Sequence, residues 1–300
     1  MDIETLRIFA EVAHRGSFSD VARARGTEPS SISRAISVLE VELGERLFHR
    51  TTRKLSLTEA GALYLVRTEP LIAQLEEAGA EARAIGRGPV GTLRLSVSVS
   101  YGMVCLVPVL ERFRARYPEL TVELLMNDVQ VDLVREGIDL AVRLTPAVEG
   151  NLVAMRLAAT HYRVVAAPAW LAAQPLAVPG DLVAQDVLRF TLPGFRDRWV
   201  FRDAAGREET VPVGGRLLIS NAAALREAAL MGMGPALLAD WMIARDLAAG
   251  RLADCFPAHA VAATGFDTGV WAIYPSRSFL PGKVRAMLDF LRAELPKPGA

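Results

Sequence analysis

The sequence predicts an α/β protein with a helical N-terminal part and a larger part in which strands and helices alternate. Three observations support this fold class. The 300-residue chain is 51% hydrophobic and 23% charged, which is typical of a globular protein of about two domains. Apolar residues recur at helical spacing through the first 60 residues. Beyond a glycine-rich segment at residues 86–91, strand and helix patterns follow one another.

Composition and charge exclude several classes of protein. The chain has 34 Lys and Arg against 34 Asp and Glu residues, so nucleic-acid binding would require a local basic patch. Cys105 and Cys255 have no partner spacing for a disulfide framework or a zinc site. The N-terminus lacks an export-signal pattern, and no apolar stretch reaches the about 20 residues of a membrane span. We therefore expect a cytoplasmic protein with no membrane anchor, metal or other cofactor.

The first 60 residues predict three short helices. Gly16 ends the first helix, and Ser17 can cap the second, with Asp20 three residues later to reach back. Gly26 interrupts the second helix, and Pro29 suits the first turn of the third. In the third helix one face is apolar and formed by Ile32, Ala35, Ile36 and Leu39, while the other is polar and formed by Ser30, Ser31, Ser33, Arg34 and Ser37.

Two short helices that meet at Gly26 are the pattern of a helix-turn-helix, whose second helix enters the DNA major groove by its N-terminal turns. An ordinary three-helix bundle with a polar outer face fits the same pattern. The next segment predicts a small hairpin, or wing, with a basic tip, which favours DNA binding over a merely solvated charge run. The candidate DNA contacts are Ser17, Glu28, Pro29, Ser30, Ser31, Ser33, Arg34, Ser37, Arg50, Thr51, Thr52, Arg53 and Lys54.

Residues 58–85 predict one long linker helix. Its apolar residues alternate in steps of four and three, a spacing that requires a partner helix. We therefore expect self-association through this helix. Pro70 is expected to kink the helix or to mark its weakest point. The seam consists of Leu71, Leu75, Ala78, Ala82 and Ile85.

Alternating strands and helices beyond the linker predict a mostly parallel sheet in two lobes with a cleft between them. Strands are expected at residues 93–99, 121–126, 138–144, 163–167 and 270–274, and helices at 104–116, 129–136, 222–231, 240–249 and 281–295. Ligands of such sheets bind beyond the carboxyl ends of the strands. This rule selects Ser98, Val99, Ser100, Tyr101, Asn127, Asp128 and Thr145, each of which is equally explained as a capping or turn residue.

Motifs of catalysis are weak in this sequence. Gly232 and Gly234 lack the third glycine of a dinucleotide site and fit a tight turn better. The chain contains neither a phosphate-binding G-x-x-x-x-G-K-[ST] loop nor a G-x-S-x-G nucleophile elbow, and its histidines have no metal-ligand spacing. We therefore predict that the protein is not an enzyme.

Several motifs follow one another in a fixed order near the N-terminus. They are Gly16-Ser17-Phe18, Ala22, Gly26, Pro29-Ser30-Ser31-Ile32-Ser33-Arg34, Leu39-Glu40, Leu43-Gly44, Leu47-Phe48-His49-Arg50-Thr51-Thr52-Arg53 and Leu57-Thr58-Glu59-Ala60-Gly61. This order resembles the winged helix-turn-helix of LysR-type transcriptional regulators. More loosely, residues 131–143 and 232–238 resemble two segments of the family's effector domain, so the resemblance covers the whole chain.

The resemblance implies three regions. These are a winged helix-turn-helix at residues 1–57, a linker helix and hinge at 58–91, and a two-lobed α/β effector domain at 92–300, similar to type 2 periplasmic binding proteins. Lobe one would comprise about residues 92–162 and 267–300, and lobe two about 163–266. The implied partners are operator DNA, further copies of the chain in a dimer or tetramer, a small-molecule effector in the cleft, and RNA polymerase as a candidate.

The resemblance also completes the predicted effector site. Phe195, Ser220 and Asn221 would form the wall of the cleft opposite the residues already selected. The mixture of hydroxyls, an amide and aromatic rings suits a small carboxylate or an aromatic metabolite. A solute-binding protein and an enzyme that uses the cleft are the alternatives. The first would need an export signal, and the second a catalytic motif.

Two residues depart from the family pattern. Arg25 stands where an apolar residue is usual, so its guanidinium is expected to reach solvent or phosphate. Glu28 stands where a Ser or Thr usually caps the third helix. Its carboxylate would repel DNA phosphates unless it pairs with an arginine or accepts a hydrogen bond from cytosine N4.

Overall fold

The computed structural model describes residues 2–50, 55–83, 88–129, 132–144, 152–275 and 280–295. The chain forms two compact units, residues 1–87 and 88–300. Within the described ranges, no helix is both long enough and apolar enough to cross a membrane.

The first unit contains the predicted helices and wing. The helices are α1 (Ile3–Arg15), α2 (Phe18–Arg25), α3 (Pro29–Leu43) and α4 (Glu59–Arg83), and the antiparallel hairpin consists of β1 (Phe48–Arg50) and β2 (Leu55–Leu57). The predicted ends of α1 and α2 are confirmed, because Gly16 and Gly26 adopt a left-handed conformation that glycine takes without strain, and Gly44 ends α3 in the same way. Pro70 lies inside α4, which continues past it.

One apolar core joins α1, α2, α3 and the hairpin. Ile32, Ile36 and Leu39 are buried, which confirms the predicted inner face of α3. The Phe48 ring of β1 packs edge-on against Phe9 of α1, with ring centroids 5.6 Å apart. The hairpin is therefore fixed to the helices by apolar packing as well as by the chain.

Lobe one of the second unit is a five-stranded sheet covered by helices. The sheet contains β3 (Gly91–Val97), β4 (Leu120–Met126), β5 (Leu140–Arg143), β6 (Leu152–Ala159) and β15 (Gly269–Pro275), in the order β4-β3-β5-β15-β6. Its helices are α5 (Val99–Tyr101), α6 (Val107–Arg116) and α10 (Gly282–Glu294), and a π-helical segment at Gly102–Leu106 joins α5 to α6. Phe113 of α6 and Phe290 of α10 pack edge to face in the core of this lobe.

Lobe two is built on a second sheet, in the order β10-β9-β14-β7-β12, with β13 beside β7. Its strands are β7 (Tyr162–Ala166), β9 (Arg198–Arg202), β10 (Glu208–Pro212), β12 (Ala236–Ala239), β13 (Ala253–Asp254) and β14 (Ala260–Ala262), with β8 (Arg189–Phe190) and β11 (Leu218–Ile219) in a separate parallel pair. Its α-helices are α7 (Pro168–Ala173), α8 (Ala222–Leu230) and α9 (Asp240–Ala248), and a 3₁₀ helix spans Pro179–Ala184.

The expectation of a mostly parallel sheet is wrong. In lobe one β3 is parallel to β4 and β5, but β15 is antiparallel to β5 and β6. In the main sheet of lobe two every pairing is antiparallel. Periodicity predicts a strand but not its direction, and β15 reaches lobe one by returning from lobe two instead of through a helical crossover.

The predicted helix at residues 129–136 is also wrong. In its described part, residues 133–137 form turns. The Asp132 carboxylate accepts hydrogen bonds from the backbone N–H groups of Val134 and Arg135 at 3.1 Å, which stabilises the turn in place of a longer helix. The helix predicted from residue 104 begins instead at Val99, whereas the predictions for α8, α9 and α10 are confirmed.

The chain passes between the lobes twice, at residues 160–161 and 263–268, and the two passages are hydrogen-bonded to each other. The backbone N–H of Thr160 donates to the carbonyl of Thr268 at 3.1 Å. The Thr268 hydroxyl donates to the carbonyl of Thr160 at 2.5 Å. These bonds place the two connections side by side at the junction of the lobes.

A buried carboxylate fixes α8 against α9 in lobe two. The Asp246 side chain has no exposed surface and receives hydrogen bonds from Arg226 at 2.5 and 2.7 Å and from Arg251 at 2.5 and 3.0 Å. Burial by itself would raise the pKa of Asp246, but both guanidinium groups act against it and hold that pKa below its usual value. Asp246 therefore stays ionised and holds α8 in place.

Asp246→Asn should lower the free energy of unfolding of the second unit by about 3 kcal/mol, because two arginines lose their counter-charge at a buried site. Urea unfolding of the full chain, followed by tryptophan fluorescence, measures this change, since all 4 tryptophans lie in the second unit. The control Asp197→Asn changes a side chain that is 81% exposed and should cost less than about 1 kcal/mol. Equal effects would show that the Asp246 cluster does not stabilise lobe two.

Candidate DNA-binding surface and ligand cleft

The first turns of α3 present the polar surface that the sequence predicts. Glu28, Pro29, Ser30, Ser31 and Arg34 are all exposed. Glu28 occupies the N-cap position, but its side chain makes no capping hydrogen bond, and Pro29 opens the helix. The Glu28 carboxylate and the Arg34 guanidinium are thus available to solvent near the start of α3, while the opposite face of this helix packs in the core.

The remaining helical candidates serve the local structure as well. Ser33 and Ser37 are half-buried, and the Ser37 hydroxyl donates to the Ser33 carbonyl at 2.9 Å, as a helical serine often does. The Ser17 hydroxyl caps α2 by accepting from the backbone N–H of Asp20 at 3.2 Å. The Asp20 carboxylate accepts a hydrogen bond from Arg23.

The wing is attached to α3 by a glutamate whose role the sequence analysis missed. Glu40 is 6% exposed, and its Oε1 accepts hydrogen bonds from the backbone N–H groups of Leu47 at 2.9 Å and Phe48 at 3.3 Å. The Thr58 hydroxyl donates to the Arg46 carbonyl at 2.6 Å and so closes the base of the hairpin. Arg50 belongs to β1 by its backbone, but its side chain and Thr51, Thr52, Arg53 and Lys54 lie outside the described residues.

The expectation that Arg25 reaches solvent or phosphate is wrong. The Arg25 side chain is 21% exposed, and its guanidinium donates to both carboxylate oxygens of Glu11, at 2.9 and 2.6 Å, and to Glu4. Hydrogen bonding to Arg25 lowers the pKa of both glutamates. Arg25 thus joins the end of α2 to α1, and the carboxylates are too far away in the sequence for local spacing to have indicated them.

In the cleft region, the structure brings Ser100 of lobe one to the start of α8 in lobe two. The Ser100 side chain is buried, and its hydroxyl oxygen accepts from the backbone N–H of Ala223 at 3.1 Å. Asn221 caps the same helix by accepting from the N–H of Ala224 at 3.1 Å. Two predicted effector contacts from different lobes therefore meet at one helix end, where backbone N–H groups favour an acceptor.

The other predicted cleft residues have more varied surroundings. Val99 donates its N–H to the Asp128 carboxylate at 3.0 Å, and Ser98 is half-buried at the end of β3. The Tyr101 ring packs edge-on against Trp241, with centroids 5.1 Å apart, which adds an apolar contact between the lobes. Ser220 is exposed, and Thr145 lies outside the described residues.

Phe195 contributes to an aromatic cluster of lobe two. Its ring lies edge-on to Tyr162 at 5.4 Å and to Phe190 at 5.9 Å between centroids. Its carbonyl accepts from the indole N–H of Trp199 at 3.2 Å. Phe195 therefore has a packing role within lobe two, beside the predicted role in the cleft.

Arg143 is a cleft residue that the sequence analysis did not select. It ends β5, and its guanidinium is half-buried. Nη2 donates to the Ser96 hydroxyl at 2.7 Å and to the Asn127 side-chain oxygen at 3.2 Å, while Nη1 donates to the Val142 carbonyl at 3.1 Å. The signal was available in the sequence, because Arg143 is the only charged residue of an otherwise apolar strand, Leu140–Arg143.

Arg25→Ala should raise hydrogen-exchange rates in α2 by an amount equivalent to about 1–3 kcal/mol at pH 7. The substitution removes the three charge-assisted hydrogen bonds that the guanidinium donates to Glu4 and Glu11. Glu4 and Glu11 have lower pKa values in the folded chain than in the unfolded chain, so this stabilisation is fully present at a pH above the unfolded-state pKa values. It is lost as the pH falls through the folded-state pKa values. The difference between variant and wild type should therefore shrink below about pH 4. Arg23→Ala, at a 79% exposed side chain, is the control and should change little.

Comparisons with known proteins agree with the resemblance. Residues 86–296 match the family described as LysR substrate binding domain, and residues 3–62 match the bacterial regulatory helix-turn-helix protein, lysR family. The chain is 31% identical over 293 residues to the transcriptional regulator CrgA of Neisseria meningitidis, covering 97% of this chain and 96% of CrgA. It is 32% identical to the regulator PtxR of Pseudomonas aeruginosa, covering 98% of this chain and 93% of PtxR.

Solved structures show the same relationship. The structure of CrgA, a LysR-type transcriptional regulator from Neisseria meningitidis, is 30% identical to this chain, has a TM-score of 0.62, and covers 98% of this chain and 99% of its own. The family is thus established over almost the whole length, from the helix-turn-helix to the second lobe. The chain therefore belongs to the LysR family, as a transcriptional regulator with an N-terminal helix-turn-helix and a C-terminal effector-binding domain.

Proposed function

We propose that this regulator reads its operator through the first turns of α3, with the wing on the flanking DNA backbone. The exposed surface of Glu28, Ser30, Ser31 and Arg34 carries this proposal. In a helix-turn-helix, polar side chains at the N-terminal end of the recognition helix, here α3, are those that reach base edges. Arg34 suits a bidentate contact with guanine, and Glu28 suits the amino group of cytosine. Since Arg25 pairs with Glu4 and Glu11, it is not available to offset the charge of Glu28.

We assign the wing a positioning role. Glu40 ties the backbone at Leu47 and Phe48 to α3, so the wing keeps a fixed place relative to the reading helix. Basic residues of the wing, Arg50, Arg53 and Lys54, then suit phosphate contacts, which strengthen binding to any sequence. Ser17 at the start of α2 and the hydroxyls of Thr51 and Thr52 complete the proposed backbone contacts.

We further propose that two chains associate through α4. The side chains of Leu63, Val66, Leu71 and Leu75 on this helix are 55–63% exposed, which leaves apolar surface on a single chain. A second α4 packed along this surface would cover it, as in a coiled coil. A dimer would also present two reading helices, and a tetramer would require a second contact beyond α4.

For the effector domain, we propose that a small molecule in the cleft acts by favouring one arrangement of the two lobes. The hydrogen bond from Ala223 to Ser100 supports this proposal, because it links the lobes at the point where the ligand would bind. A ligand shifts such an equilibrium only by its different affinity for the two states. The proposed role is regulation in the cytoplasm and not catalysis, with RNA polymerase as a candidate partner.

Arg34→Ala should weaken binding to the DNA next to the gene by about 5- to 150-fold at fixed salt, which corresponds to about 1–3 kcal/mol for a lost bidentate base contact. Fluorescence anisotropy with an operator fragment and with a scrambled fragment measures both affinities. Only the first affinity should fall. Arg198→Ala, an exposed arginine of β9 in lobe two, is the matched control. Unchanged operator affinity in Arg34→Ala would reject the role of Arg34.

Replacing Leu71 and Leu75 by Glu together should dissociate the dimer, because two charged side chains per chain would enter an apolar seam. Sedimentation velocity measures the oligomeric state, and tryptophan fluorescence checks that the effector domain stays folded. Ser56 is an exposed residue of β2, so Ser56→Glu serves as a charge control in the same unit. An intact dimer in the double variant would show that α4 is not the principal contact.

A further inference from the structure

We propose that Arg143 binds the carboxylate group of the effector, so that the ligand class of this regulator is a small monocarboxylate. This inference rests on the proposed function, because it specifies the ligand of the cleft described above. It concerns a residue of lobe one for which the sequence motifs indicated no role.

Arg143 stands at the edge of the sheet where ligands of parallel strands bind. β3, β4 and β5 are parallel and end together, and Arg143 is the last residue of β5. Its guanidinium contacts the Asn127 side chain, which follows β4, and the Ser96 hydroxyl near the end of β3. All three parallel strands therefore contribute to the position of this one cation.

The partners of Arg143 are neutral, which distinguishes it from comparable arginines. Among the described residues, no carboxylate lies within 4.0 Å of its guanidinium, whereas every other half-buried arginine has one. Those other arginines are Arg7, Arg25, Arg94, Arg156, Arg189, Arg202 and Arg226. A half-buried guanidinium held only by neutral oxygens retains an unmet demand for an anion.

Hydrogen-bond counting gives the same result. A guanidinium has five N–H donors, and the described residues accept three hydrogen bonds from Arg143. Both N–H groups of Nη2 are used, so the N–H of Nε and one N–H of Nη1 are left, and each can donate to an oxygen of an anion. Burial lowers the pKa of Arg143, an effect that the nearby Asp128 partly opposes, and a bound anion would relieve this cost of desolvation.

The charge around Arg143 favours a monoanion over a phosphate dianion. Asp128 lies close enough to act on Arg143 electrostatically, and its carboxylate is fixed by the N–H of Val99. A second negative charge on the ligand would be repelled by this carboxylate without finding a second cation, because Arg143 is the only cationic group identified in this part of the described cleft. A single carboxylate brings one negative charge to Arg143, so Asp128 repels it less than it would repel a dianion.

The test uses the full chain and three pairs of probes that differ only in charge: propionate and propionamide, lactate and lactamide, and phenylacetate and phenylacetamide. Thermal shift at constant ionic strength measures binding, and isothermal titration confirms each hit. At least one carboxylate should stabilise the wild-type chain while its amide does not. Inorganic phosphate and phenyl phosphate should bind more weakly than the carboxylates.

Arg143→Met should weaken the binding of that carboxylate by about 10- to 100-fold, because it removes hydrogen bonds to a charged group. Arg143→Lys keeps the charge but loses the planar donor set that Ser96 and Asn127 orient, so its affinity should be intermediate. Arg94→Met is the matched control, since Arg94 is a half-buried arginine of the same sheet that pairs with Glu123 instead. It should leave carboxylate affinity unchanged, and circular dichroism confirms the fold of each variant.

Three outcomes would overturn the inference: amides that bind as well as the acids, phosphates that bind better, or equal carboxylate affinity in the wild-type chain and Arg143→Met. A panel in which no carboxylate stabilises the wild-type chain would also overturn it. Operator binding by the wild-type chain, measured in the same buffers, separates this failure from that of the proposed function. If operator binding is present without any effect of carboxylates, only the assignment of Arg143 fails, whereas absent operator binding rejects the DNA-reading proposal itself.

Discussion

The two side-by-side connections at Thr160 and Thr268 are the constraint on which the effector domain depends. Backbone and hydroxyl hydrogen bonds join the two connections, so the chain crosses between the lobes at one place. Away from the junction the lobes touch through Ser100 and the α8 N-terminus and through the rings of Tyr101 and Trp241. A ligand that replaces the contact between Ser100 and the α8 N-terminus, while the rings of Tyr101 and Trp241 stay packed, would alter the angle between the lobes without separating them.

Charged side chains fix backbone position in both units of the protein. In the first unit, Glu40 binds the wing, and Arg25 ties the end of α2 to Glu11 of α1. In the second, Asp246 holds α8 by Arg226. Removing one partner of such a contact is costly, because the other buried or half-buried polar group is left unpaired. Arg143 differs, because the described partners of its guanidinium are neutral oxygens. This difference is the reason why we propose a binding role for Arg143.

Local patterns in the sequence predicted much of the first unit and less of the second. Gly16, Gly26 and the apolar spacing of α3 depend on neighbours a few residues away, and the structure confirms them. The direction of β15 depends on strands more than a hundred positions away in the sequence, and the contact from Ser100 to Ala223 also spans more than a hundred positions. Arg25 shows the same limit at shorter range, because its carboxylate partners lie on another helix. The predicted contacts of Arg50 to Lys54 and Thr145 remain predictions.

The placement of β15 has a consequence for how the protein is made. This strand lies between β5 and β6 in the sheet of lobe one, although it is the last strand among the described residues. The residues of lobe two, from β7 to β14, therefore leave the ribosome before the sheet of lobe one can close, and they are able to fold while lobe one still lacks a central strand. A nascent chain stopped before residue 269 would expose the edges of β5 and β6, so premature termination should yield an aggregating fragment and not a smaller functional regulator.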